Sequence, residues 1–82
     1  MINMKKETAL SSKEVIEKAV AFFGPEGAGL EVVSQGDCCA RFEGVGGYVD
    51  IQTEDLNNDE GSKVKIIGRE WEYQIKQFFG QL

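Results

Sequence analysis

The sequence predicts an α+β fold: a two-layer sandwich in the order β-α-β-β-β-β-α, with a curved antiparallel sheet of four or five strands covered on one face by two helices. Three observations predict it. Apolar residues recur at helical spacing in two stretches, 15–23 and 71–82, and at a spacing of two between them. The period-two segments follow one another through short turns, which antiparallel neighbours permit and parallel ones do not. Two amphipathic helices also need an apolar surface to cover, and one face of such a sheet supplies it. The chain of 82 residues is sized for a single domain, 1–82, and shows no internal repeat or linker.

Each element has a local reason. Residues 4–9, with Lys5 and Lys6, suit a short edge strand, because lysine discourages unwanted pairing at an edge. Ser11-Ser12-Lys13-Glu14 matches a capping box, and Val15, Ile16, Ala19, Val20, Phe22 and Phe23 form the stripe of the helix it starts. Gly24-Pro25 ends that helix, with Gly24 expected in the left-handed position after its last turn. Residues 30–35 read as a strand, and Gln35-Gly36-Asp37 as a tight turn into a strand over 38–43. Gly44, Gly46 and Gly47 interrupt the pattern before a strand over 48–53. A polar loop over 54–62 leads to a strand over 63–68. Trp71, Ile75, Phe78, Phe79 and Leu82 then define the stripe of a helix over 69–82.

This order resembles the TATA-box-binding-protein-like fold and a shortened helix-grip domain of the START and polyketide-cyclase type. The run from Gly68-Arg69-Glu70-Trp71 to Phe78-Phe79 is similar to the passage of helix-grip chains from their last strand into their long helix. The resemblance rests on element order and assigns no residue a role. It implies one alternative function, an apolar slot between the sheet and the C-terminal helix that takes a small ligand.

Composition excludes several chemistries. There is no histidine, so a Ser-His-Asp triad, a Cys-His pair, a Cys₂His₂ zinc site and a histidine pH switch are all ruled out. The net charge of −5 argues against a nucleic-acid partner, which calls for a basic surface. No apolar run approaches the ~20 residues that span a bilayer, and none follows Lys5 and Lys6 as a secretory signal requires. The only two cysteines are adjacent rather than dispersed as in a disulfide framework. A cytoplasmic chain without a membrane partner is therefore expected.

The remaining candidates for chemistry read as structural. In a strand, neighbours point to opposite faces, so Cys38 should share a buried face with Ala40 and Phe42. Cys39 should then be a thiol beside Arg41 and Glu43 on the polar face. Asp55-Leu56-Asn57-Asn58-Asp59-Glu60-Gly61 places oxygens at positions 1, 3 and 5 of a calcium loop, but Glu60 and Ile66 occupy the places that need Gly and a bidentate Glu. A turn is expected there, without a metal. The glycines at 24–29 and 44–47 lack both the strand-loop-helix setting and the lysine of a phosphate loop. Asp50, Glu54, Glu70 and Glu72 form no matched acid–base pair, so neither an enzyme nor a cofactor is expected.

Charge distribution points to a partner. Residues 26–62 carry nine carboxylates against one base, Arg41, so the exposed sheet face is expected to be acidic. Glu43 and Asp50 on that face, Tyr48 beside them and Tyr73 off the helix stripe are the candidate interaction residues. The expected function is a non-enzymatic protein-interaction module, using the acidic face or a strand edge to bind a protein partner or to self-associate weakly.

Overall fold

The computed structural model describes residues 1–57 and 60–82, which form β1 (Ile2–Thr8), α1 (Ser12–Phe23), β2 (Glu31–Gln35), β3 (Cys39–Gly44), β4 (Gly47–Asp55), β5 (Ser62–Arg69) and α2 (Glu72–Gly80). The α+β class and the element order are those the sequence predicts. Among the described residues the strands make one five-stranded antiparallel sheet, ordered β1-β5-β4-β3-β2. The fifth member is β1, which pairs along its whole length with β5, from Ile2 opposite Gly68 to Thr8 opposite Ser62. Helix α1 therefore carries the chain from one edge of the sheet to the other.

Alternation along the strands separates two faces. Ala40 and Phe42 of β3, Val49 and Ile51 of β4, and Val64 and Ile66 of β5 are all buried under the helices. Helix α1 adds Val15, Ile16, Ala19 and Phe23 to this layer, and α2 adds Ile75, Phe78 and Phe79. Phe23 lies at the centre, its ring 5.5 Å from that of Phe42 and 5.3 Å from that of Phe78.

The helix ends are held by specific polar groups. At the start of α1 the Ser11 hydroxyl accepts from the Glu14 N–H at 3.2 Å, and the Glu14 carboxylate accepts from the Ser11 N–H at 3.3 Å. This is the reciprocal capping the sequence encodes. Asp55, at the end of β4, accepts from the Ser12 N–H at 2.8 Å and sets a carboxylate against the positive end of α1. At the other pole the Lys6 ammonium donates to the Phe79 carbonyl at 2.7 Å, so β1 supplies the cation that the last turn of α2 lacks.

Three local expectations are corrected. Gly24 is extended, with φ −69° and ψ −171°, and the left-handed residue is Gly29, φ 90°. The turn after α1 is a longer, hydrogen-bonded loop that returns the Leu30 N–H to the Phe23 carbonyl. The last helix begins at Glu72 rather than 69, because β5 runs on through Arg69 and Glu70 takes a left-handed φ of 72° that turns the chain off the sheet. Finally, Cys38 is an exposed residue of the β2–β3 connection, and its sulfur is bonded to that of Cys39 as a vicinal disulfide. Cys38 precedes the ladder, so strand alternation does not govern its side chain. It is neither the buried hydrophobe expected, nor is Cys39 a free thiol.

Helix α2 approaches the sheet over glycines. A Cβ on Gly44 would lie 2.6 Å from Cζ2 of Trp71, and one on Gly68 would collide with Cδ1 of Ile75. Gly68→Ala is therefore expected to destabilise the fold by about 1–3 kcal/mol through overpacking. Adding Ile75→Val removes the colliding methyl, so the double variant should be more stable than the sum of the two single losses in urea denaturation. Strict additivity would contradict this packing.

Candidate functional site

The uncovered face of the sheet carries the candidate site, and the β3–β4 hairpin builds its centre. Gly44 and Gly47 pair across a two-residue tip in which Gly46 has a φ of 80° and Val45 is 98% exposed. This tight connection fixes the register behind it, placing Glu43 opposite Tyr48 and Arg41 opposite Asp50. All four side chains fall on the open face, because Phe42 and Val49 between them are buried.

Arg41 ties the group together. Its Nε donates to Glu43 at 3.1 Å and its Nη1 to Asp50 at 3.3 Å, while the guanidinium carbon stands 4.5 Å from the centre of the Tyr48 ring. The pKa of Arg41 is raised, foremost by the hydrogen bond to Glu43 and against a partial opposing effect of desolvation. The Tyr48 hydroxyl is within 3.4 Å of the Met1 sulfur. Three of the four candidate residues, Glu43, Asp50 and Tyr48, are thus brought into one cluster. Tyr73 is not among them. It projects from α2, which covers the opposite face, is 68% exposed, and its hydroxyl accepts from Gln77 at 3.1 Å.

Arg41, the hub of the cluster, is not among the four residues expected from the sequence. The signal was present: Arg41 and Glu43 lie two apart in one strand and so share a face. What the chain order did not reveal was the cross-strand contact with Asp50.

The open face is also not acidic as a whole. Beside β4 lies β5, and beside β5 lies β1, so the lysines near the two ends of the chain join the carboxylates of its middle. On β1 and β5, Lys5, Lys63, Lys65 and Arg69 outnumber Glu7. On β4, β3 and β2, Asp50, Glu54, Glu43 and Glu31 outnumber Arg41. The expected acidic face is therefore a divided one, basic on one side and acidic on the other. A shallow cavity of about 630 Å³ opens on the basic side, lined by Lys5, Glu7, Gln52, Glu54, Lys63 and Lys65 among others.

The region between the sheet and α2, where the ligand slot was expected, contains the packed rings of Phe23, Phe42 and Phe78. A second cleft, about 360 Å³, runs between α1 and α2 beside Phe22 and Trp71. Of the acidic loop, Asn58 and Asp59 lie outside the described residues, and Asp55 is engaged with the α1 N-terminus. No helix among the described residues is long and apolar enough to cross a membrane. Comparison with protein-family models, curated proteins and solved structures finds no match.

Removing the hub should be felt locally. Arg41→Gln is expected to shift the ring resonances of Tyr48 and leave those of Tyr73 in place, read by aromatic NMR. Equal movement of both rings, or of neither, would contradict the cluster.

Proposed function

We propose that this chain is a non-enzymatic protein-interaction module whose binding surface is the open face of its sheet. One observation carries the reading: both helices cover the same face, and the other presents an ordered set of charged and aromatic side chains around Arg41. Arginine and tyrosine are among the residue types enriched at the anchors of interfaces, both offering area and polar contacts, tyrosine at a small entropic loss. Here Arg41 is already oriented by two carboxylates, so less freedom remains to be lost on binding.

The acidic side of the face, with Glu43 and Asp50, is the part that engages a basic patch on a partner. The packed rings between sheet and α2 support a surface role over the ligand-slot reading, because a slot there would have to displace core side chains.

Glu43→Lys with Asp50→Lys is expected to weaken partner capture about ten-fold or more while the cooperative thermal transition is retained, read by quantitative pull-down beside circular dichroism. Undiminished capture by the folded variant would remove the acidic side from the binding surface.

A further inference from the structure

We propose that the partner is a second copy of this chain, joined open face to open face with the basic side of each copy over the acidic side of the other. This rests on the reading of the open face as the interaction surface. The charges on the open face stand in two groups. The β1–β5 side carries four bases and one acid, net +3, and the β4–β3–β2 side four acids and one base, net −3. The face as a whole is neutral although the chain is −5, so the excess negative charge lies away from it. Two such faces approach without net repulsion.

The division is self-complementary. A two-fold axis parallel to the strands and lying near the β4–β5 boundary turns each side onto its opposite, the isologous arrangement that closes a dimer. Lys63 and Lys65 of one copy then meet the β4 column of the other, which holds Asp50, Gln52 and Glu54. Ile67, half-buried in the middle of β5, and the Tyr48 ring supply apolar area close to the axis.

One feature of the isolated chain is unfavourable by itself and is eased at Lys65 by this pairing. Lys5 and Lys65 are directly opposed in the β1–β5 register, and like charges so placed repel. Among the described residues neither has a carboxylate within 4.0 Å, the only such contacts being those of Arg41. In a second copy the β4 column sets Gln52 over Lys65, with the carboxylates of Asp50 and Glu54 two residues to either side along the strand.

Area sets the strength. Four strand spacings give a width of ~19 Å, and seven residues a length of ~24 Å, so two faces bury roughly 900 Å². That is below the ~1,200–2,000 Å² of stable complexes and fits a reversible dimer. With few apolar contacts, its affinity should depend strongly on salt.

The test is sedimentation equilibrium of the full chain at ~10 mM and ~1 M salt, where the screening length is about 30 Å and 3 Å. It is run on the wild type, on Lys5→Glu/Lys65→Glu, whose β1–β5 side goes from net +3 to net −1, and on Glu43→Lys/Asp50→Lys, whose opposite side goes from net −3 to net +1. Circular dichroism checks the folding of each. The wild type should dimerise at low salt and weaken ten-fold or more at high salt. Each charge variant alone should be monomeric, and an equimolar mixture of the two should form a heterodimer. Three results overturn the proposal: a wild type that stays monomeric throughout, a salt-independent dimer, or a dimer that both variants retain, as edge-to-edge pairing of β1 would give. If the wild type is monomeric yet its capture of another protein is lost with Glu43 and Asp50, only the self-pairing fails. If that capture is also unaffected, the open-face reading fails with it.

Discussion

The ladder between β1 and β5 joins strands separated by most of the chain, and the arrangement of both faces depends on it. Bringing residues about fifty apart into register costs on the order of 3–4 kcal/mol in loop entropy before any contact forms. The pairing that offsets this runs over seven positions, Ile2 to Thr8. It is reinforced on the covered face, where Ile2 and Met4 pack against the core and Lys6 reaches the last turn of α2. Ser62 adds a further tie, its hydroxyl donating to the Leu10 carbonyl at 2.8 Å. Both ends of the β1–α1 connection are thereby fastened to the start of β5.

From this ladder the charge pattern follows. Without β1, the open face would end at β5, and its basic side would lack Lys5. With β1 in place, the lysines from both ends of the sequence stand together against a middle segment rich in carboxylates. The same pairing makes β1 one edge of the sheet and β2 the other. The β2 edge is short and carries a bulge between Val32 and Ser34, the kind of irregularity that discourages further strand addition. The open face, more than either edge, is where the polar side chains are ordered.

Much of the fold was legible because its signals are local. The Ser11–Glu14 capping box, the 15–23 stripe and the period-two runs are set by residues a few positions apart, and each became the expected element. The errors lie where a distant contact decides. Glu70 turns left-handed to bring Trp71 and α2 down onto Gly44 and Gly68, and no helical periodicity in 69–82 announces that turn. Cys38 leaves the face that alternation assigned to it because the strand begins only at Cys39. Of the site, Glu43, Asp50 and Tyr48 could be placed on one surface from alternation alone. Tyr73 lies on α2, which the expected architecture already sets over the covered face, so its place off the apolar stripe marks exposure and not membership of this surface. The acidic face was misjudged because charge summed along the chain omits the lysines that β-sheet topology places beside it.

The most direct test of this account is the β1–β5 register itself, read from cross-strand nuclear Overhauser effects in the uniformly labelled chain. The ladder requires contacts that link residues 3–7 of β1 to residues 63–67 of β5, with Lys5 opposite Lys65. A β1 that shows no contacts to β5, or contacts displaced by one residue so that Lys5 and Lys65 fall on opposite faces, would contradict it and remove the divided charge pattern on which the proposed surface depends.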